Sequence, residues 1–310
     1  MKVFITGGTG CIGQNVTLEV AKNGHEVIVL SRDPKKYEPM LKMGNIKIVK
    51  GLITDYEALA EYVKGCDAVI SIALGWGNEP VSMVMNDTVP AVNLLEIAEK
   101  AGVKKFIFTS STAAMGHNRQ DMDETFVNMP VNLYSSTKAA IESYVLGFTQ
   151  YFPGAGEEPK KVTMKRNVIR PGYTYSNPCF EGGTVQLDAR FRDITKAVAN
   201  DEAVKVTKYD GTQFLSGEEI AEVYAAVLES DLNEEVFLAL ASEHITWERI
   251  ARIALEECPE SKSQVEVEDK GWGSTPMMYN TDKIKRTFGL EFKGDAEIRK
   301  HVKWNLSQYK

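Results

Sequence analysis

The sequence predicts an α/β fold in which a doubly wound parallel sheet precedes a smaller, irregular C-terminal region. Two observations lead to this prediction. Short apolar runs alternate with stretches of helical spacing from Val3 to Ile169, and such alternation is typical of a parallel sheet with helices on both faces. After Pro171 the alternation loses its regularity, and glycine, proline and aromatic residues follow without a clear period.

The regular part of the chain contains strands and helices in turn. Apolar runs predict strands over residues 3–6, 26–30, 46–50, 68–72, 104–109 and 162–169. Helical spacing predicts helices over residues 12–23, 56–64, 89–100 and 133–149. The Pro-, Gly- and charge-rich stretch 152–161 predicts an exposed loop. In the irregular part we predict a helix over 220–228, a strand over 236–241 and a helix over 247–257.

The composition excludes several classes of protein. The chain has 310 residues, of which 43% are hydrophobic and 25% are charged, and its formal net charge is −7. An acidic chain is a poor counter-ion for a phosphate backbone, so we expect no nucleic-acid partner. No apolar run approaches the roughly 18 residues of a membrane-spanning helix. The apolar start of the chain is shorter than the roughly 7–15 residues of a signal-peptide core, so we expect no membrane association and a cytoplasmic location.

The cysteine pattern argues against a metal site. The four cysteines, Cys11, Cys66, Cys179 and Cys258, are widely spaced and form no C-x-x-C pattern. This spacing predicts reduced thiols rather than a disulfide scaffold, and we expect no bound metal.

A glycine-rich turn follows the first predicted strand. Residues 6–13 read T-G-G-T-G-C-I-G, which fits the pattern T-G-x-x-G-x-x-G between a strand and a helix. Glycines allow the tight turn and let the backbone approach a pyrophosphate, while the helix N-terminus supplies free N–H groups. The turn therefore predicts a dinucleotide site in a Rossmann-like fold. The residues expected to bind the cofactor here are Gly7, Thr9, Gly10, Cys11, Ile12 and Gly13.

The motif and the element pattern together divide the chain. Residues 1–172 form the predicted NAD(P)-binding Rossmann domain, and residues 173–310 form the predicted substrate-binding domain. We expect the two domains to be interleaved, because the segment 212–230 is predicted to return to the first.

The end of the second strand distinguishes between NAD and NADP. A carboxylate here, about 20 residues beyond the glycines, would bind the ribose hydroxyls of NAD and repel the 2′-phosphate of NADP. Ser31 and Arg32 follow the strand instead, and a guanidinium is well suited to bind a phosphate. We therefore predict NADP, with NAD as the alternative because Asp33 stands next to Arg32.

A tyrosine and a lysine stand four residues apart on the last predicted helix of the regular part. Tyr134 and Lys138 would share one face of that helix. A nearby ammonium and the positive nicotinamide would both lower the pKa of Tyr134 and make it a usable acid or base. The hydroxyls of Ser110, Ser111 and Thr112 end the fifth strand, and ligands of open α/β sheets bind at such strand ends.

With these motifs the chain resembles the extended short-chain dehydrogenases/reductases of the NAD(P)-dependent epimerase/dehydratase family. The matching features are the early T-G-x-x-G-x-x-G, the hydroxyl cluster at 110–112, the Y-x-x-x-K of Tyr134 and Lys138, and Arg-Pro-Gly at 170–172. The resemblance covers most of the chain, and the later stretches match less specifically.

The resemblance implies a role for each matching residue. Tyr134 would be the general acid/base, and Lys138 would bind the nicotinamide ribose and lower the pKa of Tyr134. Ser111 matches the catalytic hydroxyl best, with Thr112 as the alternative. Pro171 would approach the nicotinamide, so Tyr134, Lys138 and Pro171 join the expected cofactor-binding residues.

Two departures from the family pattern bear on the ligands. Leu52 stands where many relatives have an aspartate that contacts the adenine, and Asp55 is either its substitute or the N-cap of the next helix. Tyr173 stands where sugar-nucleotide epimerases often have a diphosphate-binding asparagine. Arg190 and Arg192 are the nearest cationic candidates for a diphosphate. The second departure disfavours a sugar-nucleotide substrate.

The sequence leaves three functions open. We predict an NADP-dependent oxidoreductase that transfers hydride between the nicotinamide and a carbonyl or secondary alcohol, with Ser111, Tyr134 and Lys138 as its catalytic site. The alternative is a sugar-nucleotide epimerase or dehydratase that uses the same residues. A second alternative is a non-enzymatic NADP-binding regulator, which the intact tyrosine and lysine disfavour. No motif identifies the small-molecule substrate.

The helices predicted at 89–100 and 133–149 bear on the assembly. The second carries the large apolar residues Ile141, Tyr144 and Val145, which is more apolar surface than one stripe facing a sheet requires. Related enzymes commonly pair these helices across a two-fold axis, so we expect a homodimer with Val145 in its interface.

Overall fold

The computed structural model of the protein describes residues 1–148, 162–186 and 188–309. The loop predicted at 152–161 and the last residue of the helix predicted at 133–149 lie outside these ranges. None of the helices within the ranges combines the length and the apolar character that crossing a membrane requires.

Strands and helices alternate regularly through the first part of the chain. Within the described residues the strands are β1 Lys2–Thr6, β2 Glu26–Ser31, β3 Ile46–Lys50, β4 Ala68–Ser71, β5 Lys105–Thr109, β6 Lys165–Pro171, β7 Thr174–Tyr175, β8 Val204–Thr207, β9 Gly211–Thr212, β10 Leu215–Ser216, β11 Glu235–Ala239, β12 Ile245–Thr246 and β13 Val265–Glu268. The α-helices are α1 Cys11–Lys22, α2 Tyr56–Val63, α3 Pro80–Met83, α4 Val89–Lys100, α5 Leu133–Gly147, α6 Arg190–Ala199, α7 Gly217–Glu229, α8 Trp247–Glu256, α9 Asp282–Phe288 and α10 Gly294–Ser307. Tighter or wider helical turns occupy Pro34–Met43, Val84–Thr88 and Thr112–Met115.

Every element predicted from the sequence is present, with ends that differ by a few residues. The largest differences at an element's start are three residues: β6 begins at Lys165 rather than at residue 162, because pairing with β5 begins there, and α7 begins at Gly217 rather than at residue 220. The turn Pro34–Met43 and the helices α6, α9 and α10 were not predicted.

Seven strands form one parallel sheet in the order β11-β6-β5-β4-β1-β2-β3. Phe4 and Ile5 of β1 point to opposite faces of the sheet, and both are fully buried. Burial on both faces is the condition under which parallel sheets are stable. The predicted α/β fold with a doubly wound, Rossmann-like sheet is confirmed.

Helices cover both faces of this sheet. On one face α1 and α7 pack against each other and against the strands through residues such as Val16 and Tyr224. On the other face α2, α4 and α5 pack through residues such as Leu59 and Leu94. Val145 of α5 belongs to this second core and is only 1% exposed. The expectation that Val145 lies in a dimer interface was therefore wrong, because its side chain faces the sheet of its own chain.

The last strand of the sheet comes from the far part of the chain. β11 pairs with β6 in parallel, and α7, which precedes it, packs on α1. The hydroxyl of Tyr224 on α7 lies 2.6 Å from the hydroxyl of Thr109 at the end of β5. The segment 212–230 contains α7 and so packs against the sheet, while the division of the chain into a cofactor and a substrate domain stays a prediction.

The remaining C-terminal residues build a core of their own. Helices α6, α8 and α10 surround a cluster of aromatic rings. The centre of the Tyr173 ring lies 4.9 Å from the centre of the Phe214 ring. The centres of the Phe214 and Trp247 rings are also 4.9 Å apart. Edge-to-face contacts of this kind fix the orientation of each ring, so the cluster holds Tyr173 rigidly after β6.

Candidate active site

A cleft of about 1140 Å³ opens at the carboxyl ends of β1, β4, β5 and β6. This is the position at which parallel α/β sheets bind ligands. All the residues predicted to bind cofactor or to act in catalysis line this cleft: Gly7, Thr9, Gly10, Cys11, Ile12, Gly13, Ser31, Arg32, Ser111, Tyr134, Lys138 and Pro171. The fold thus brings together every predicted site residue, whereas the role of each stays a prediction.

The glycine turn can follow its path only because glycines stand at its tightest positions. Gly7 has a φ of +70°, which favours glycine. A Cβ atom on Gly13 would overlap the carbonyl oxygen of Gly7. Helix α1 begins directly after Gly10 with no side-chain cap and no acidic residue in its first turn. Its free N–H groups and positive dipole end therefore fit the pyrophosphate of a dinucleotide.

A segment from the C-terminal part of the chain supports the glycine turn. The hydroxyl of Thr184 donates to the carbonyl oxygen of Thr9 at 2.9 Å, and the hydroxyl of Ser176 lies 3.0 Å from the thiol of Cys11. Burial raises the pKa of Cys11, and the hydrogen bond with Ser176 opposes this shift. Cys11 therefore presents a neutral thiol to the cleft. No local sequence pattern indicated that Ser176 and Thr184 would contact the glycine turn.

The end of β2 carries no carboxylate at the predicted ribose position. Ser31 is buried, and its hydroxyl accepts the backbone N–H of Asp33 at 3.2 Å. Arg32 is exposed and lines the cleft beside it. The side chains at this position are therefore a hydroxyl and a guanidinium, as the sequence indicated.

The region expected to meet the adenine is apolar. Leu52 lines the cleft and is 54% exposed. The carboxylate of Asp55 accepts the N–H of Ala58 at 3.2 Å and so caps helix α2. Of the two roles considered for Asp55, the structure confirms the N-cap.

The predicted catalytic side chains converge near the middle of the cleft. Asn132 and Ser135 form a capping box that starts α5 immediately before Tyr134. Tyr134 and Lys138 lie on one face of that helix, and the Lys138 ammonium lies 5.9 Å from the centre of the Tyr134 ring. The side chain of Ser111, at the end of β5, lies near enough to the Tyr134 phenol to act against a rise in its pKa.

Ser111 and Thr112 point to different neighbours. Ser111 lines the cleft, whereas Thr112 is not among the described residues that do so. The Thr112 side chain instead lies near Tyr279, where it opposes the rise in the pKa of that phenol that burial causes. The geometry therefore favours Ser111 over Thr112 as the hydroxyl that works with Tyr134.

The electrostatics of Tyr134 differ from the sequence expectation. Burial raises the pKa of Tyr134, the nearby Ser111 side chain opposes this shift, and the charge of Asp87 adds to it. Burial also lowers the pKa of Lys138, and the negative charge of Asp87 opposes this shift. The expected lowering of the Tyr134 pKa is thus not present in this structure, because the phenol is buried and a carboxylate stands near the ammonium.

Asp87 is a candidate functional residue that sequence reasoning missed. Its carboxylate lies 3.8 Å from the Lys138 ammonium, and both side chains are almost fully buried. It comes from the helical turn Val84–Thr88, which precedes α4. No sequence pattern relates this turn to Tyr134 and Lys138, and only the packing of the turn against α5 brings them together.

The far end of the cleft is aromatic and carries one negative charge. Leu74 and Trp76 follow β4, and Trp76 is 62% exposed with its ring 6.3 Å from that of Tyr134. Tyr173 and Asp188 complete this end. Burial raises the pKa of Tyr173, which therefore presents a neutral phenol.

The arginines considered for a diphosphate are engaged elsewhere. Arg190 pairs with Asp188 at 2.9 Å, and its guanidinium lies 4.4 Å from the centre of the Trp247 ring. Arg192 is exposed and is not among the described residues that line the cleft. Of the described lining residues, Arg32 and Lys138 are the cations, and both belong to the cofactor side.

The fold and the cleft define a class of protein: a dinucleotide-dependent enzyme of the extended short-chain dehydrogenase/reductase type. The model of the NAD dependent epimerase/dehydratase family matches residues 3–237. The chain therefore belongs to the NAD-dependent epimerase/dehydratase family, and the family resemblance predicted from the motifs is confirmed.

Individual relatives have different activities. The chain is 31% identical over 155 residues to a decarboxylating sterol-4-alpha-carboxylate 3-dehydrogenase of Dictyostelium discoideum, which is 46% of this chain and 47% of that protein. It is 24% identical over 323 residues to a UDP-glucose 4-epimerase of Rhizobium meliloti, which is 98% of this chain and 96% of that protein. The chain spans about half the length of several curated relatives that it matches.

The solved structures show the same fold over the whole chain. A UDP-glucose 4-epimerase of Thermotoga maritima, determined with UDP-glucose, superposes with a TM-score of 0.77 at 21% identity. The superposition covers 100% of this chain and 98% of that one.

Proposed function

We propose that the protein epimerises a nucleotide-linked sugar by transient oxidation of one sugar hydroxyl. The observation that carries the proposal is the alignment with a UDP-glucose 4-epimerase over 98% of this chain, which includes the region expected to bind the substrate. The comparisons thus favour the sugar-nucleotide alternative over the net oxidoreductase that the sequence predicted first.

The residues of the chain fit this chemistry. NAD(P), when bound, would supply the acceptor for a hydride from the sugar carbon and the donor for its return to the opposite face. Tyr134 takes the hydroxyl proton as hydride leaves and gives it back at the end, while Ser111 holds the same oxygen. Lys138 supplies a positive charge beside the phenol, which stabilises the phenolate. Neither cofactor nor proton is consumed over a full cycle.

Within the proposed class the site favours epimerisation over dehydration. Elimination of water needs a base for the carbon-bound proton and an acid for the leaving hydroxyl, in addition to the group that serves the oxidation. The three residues after Ser111 are Thr112, Ala113 and Ala114, and none of them has a side chain that could serve as this base or acid. Among the described residues that line the cleft, Asp188 is the one carboxylate, and it pairs with Arg190.

The experiment is incubation with UDP-glucose and either cofactor, followed by NMR of the sugar anomeric protons. We expect the C4 epimer to form without a lasting change in absorbance at 340 nm. Tyr134→Phe should abolish the conversion, and Tyr56→Phe, on α2 outside the cleft, should retain it. An unchanged sugar nucleotide at millimolar concentration would reject this substrate.

A second candidate function has one specific observation in its favour. The far end of the cleft offers Leu74 and Trp76 but, among the described lining residues, no cation for a diphosphate. An apolar secondary alcohol would suit this end better, and the relative at 31% identity is a sterol dehydrogenase. Net reduction of NADP by a hydroxysteroid, followed at 340 nm, tests this candidate.

For the cofactor we propose NADP in preference to NAD. Ser31 presents no carboxylate against a 2′-phosphate, and Arg32 at the edge of the cleft supplies a guanidinium for it.

We also propose that residues 1–172 with 212–230 bind the cofactor and that the rest of 173–310 shapes the substrate site. Since none of the four cysteines forms a disulfide, we propose a reducing, cytoplasmic location.

We propose a homodimer, supported by an apolar surface next to the cleft. Val81, Val84 and Met85 lie on the turns before α4, and Tyr144 lies on α5, which packs against those turns. All four side chains are at least 45% exposed. Light scattering should give twice the mass of 34.5 kDa, and Tyr144→Arg should halve it. A single-chain mass for the unmodified protein would reject the dimer.

A further inference from the structure

Behind the cleft, four buried charged side chains alternate in sign. Asp87, Lys138, Glu142 and Arg170 are each at most 4% exposed. The Asp87 carboxylate lies 3.8 Å from the Lys138 ammonium, and Arg170 donates two hydrogen bonds to Glu142 at 2.9 and 2.8 Å. Lys138 and Glu142 stand one helical turn apart on α5. The four charges sum to zero, which is the condition under which ions are tolerated in a protein interior.

Asp87 is held by fewer hydrogen bonds than Glu142 and Arg170, which pair with each other. One of its oxygens accepts the N–H of Gly75 at 3.1 Å. The other oxygen has no hydrogen-bond partner among the described residues. Its distance to the ammonium exceeds the roughly 2.7–2.9 Å of a charge-assisted hydrogen bond. The positive charge paired with this buried carboxylate is the Lys138 ammonium, and a buried charge is costly without such a partner.

We propose that Asp87 is a positioning residue of the active site. Its carboxylate keeps Lys138 charged beside Tyr134, and its hydrogen bond with Gly75 holds the loop of Gly75 and Trp76 in place. The proposal rests on the proposed function only for its kinetic readout. Asp87 is not among the described residues that line the cleft, so it acts through Lys138 and through the loop.

The charge balance identifies which group responds when Asp87 is neutralised. The remaining three charges would then sum to +1 in the interior. Arg170 does not release its proton in proteins, and Glu142 already compensates it. Lys138 is left as the group that can lose a proton, and burial already lowers its pKa. The titratable groups on which Asp87 acts are Tyr134 and Lys138 of α5. Glu142 of the same helix acts on Lys138, and Arg170 of β6 pairs with Glu142.

Asp87→Asn tests the proposal, because the amide keeps the shape and can still accept the N–H of Gly75. Cofactor affinity is measured by quenching of tryptophan fluorescence from pH 6 to 10. We expect the pH at which affinity falls to move down by at least about one unit, because Lys138 loses its proton earlier. The alkaline limb of kcat should move in the same direction. Asp231→Asn, which neutralises an exposed carboxylate paired with Lys165, is the matched control.

A second set of variants separates this role from a structural one. In a Lys138→Met background, Asp87→Asn should change cofactor affinity less than about twofold, since coupled residues are not additive. The double variant should also melt above Lys138→Met alone, which leaves a buried carboxylate unpaired. An unchanged pH midpoint in Asp87→Asn, or equal effects in both backgrounds, would overturn the proposal. A failure to convert UDP-glucose would reject the function and leave the cofactor-affinity profile as the test of Asp87.

Discussion

The two ends of the cleft are built in different ways. At the glycine turn the ligand would meet backbone: Gly7 has a positive φ, and Gly13 has no room for a side chain. At the far end it would meet side chains from separate segments, namely Trp76 after β4, Tyr173 after β6, and Asp188 before α6. The first end is thus fixed by the path of a single turn, and the second by the packing of several distant segments.

This difference separates what the fold determines from what it leaves free. A backbone site tolerates little change, because any added atom displaces the turn itself. A side-chain site can change its ligand while the sheet stays the same, and relatives with one fold therefore act on different molecules. The experiments below test the contrast between the two ends.

The largest effect is expected where the two ends meet, at Tyr134. Tyr134→Phe removes the acid/base proton and keeps the ring, so turnover should fall by about 10²–10⁴. Binding at both ends should be nearly unchanged, as measured by cofactor titration and by substrate KM. Near-normal turnover would show that Tyr134 is structural.

At the cofactor end, Gly13→Ala should nearly abolish cofactor binding. The new Cβ would overlap the carbonyl oxygen of Gly7. A displaced turn loses several charge-assisted N–H contacts of about 1.5–3 kcal/mol each, so affinity should fall at least about 100-fold. Gly147→Ala, at a helical glycine with no atom near its Cβ position, is the control and should bind normally. Equal binding by both variants would show that the turn does not hold the cofactor.

A smaller effect is expected at the ribose position. Arg32→Ala should weaken NADP binding by about 1–3 kcal/mol, which is the usual contribution of a charge-assisted hydrogen bond, and should leave NAD binding almost unchanged. Lys35→Ala, which removes a nearby exposed charge outside the cleft, is the control. Titration of both cofactors measures the difference. Equal affinity of the unmodified protein for NAD and NADP would contradict the proposed preference.

The smallest effect is expected at the substrate end. Trp76→Ala should raise the substrate KM by about 3–10-fold, in line with roughly 1 kcal/mol for an exposed aromatic contact. Cofactor affinity should not change, and Trp272→Ala, at an exposed tryptophan outside the cleft, should change neither quantity. If Trp76→Ala weakened cofactor binding instead, the separation of the two ends would be wrong.

The parts that were predictable from sequence depend on neighbours in the chain. The T-G-x-x-G-x-x-G turn and the pair of Tyr134 and Lys138 each lie within one or two helical turns, so spacing alone reveals them. The apolar runs likewise predicted the sheet strands, since a strand buried on both faces is itself a short run of apolar residues in the sequence.

The parts that were missed depend on tertiary packing. Asp87 reaches Lys138 from another element, and the support of the glycine turn by Ser176 and Thr184 spans more than 160 residues of chain. The two effects that raise the pKa of Tyr134 were missed for the same reason, because spacing predicts a neighbour on the same helix but neither burial nor a carboxylate from elsewhere. Val145 was misplaced because an apolar helix face does not by itself reveal whether a sheet or a partner covers it.

The late arrival of β11 has a consequence for biosynthesis. β6 ends at Pro171, and its outer neighbour begins only at Glu235. At a synthesis rate of about 5–20 residues per second, the growing chain presents the open edge of β6 for roughly 3–13 seconds. Val168 and Ile169 are fully buried in the folded protein, and they lie on this unpaired edge strand for the same period. An open parallel edge is a template for pairing with another chain, so nascent chains that stall before β11 are the species most exposed to aggregation.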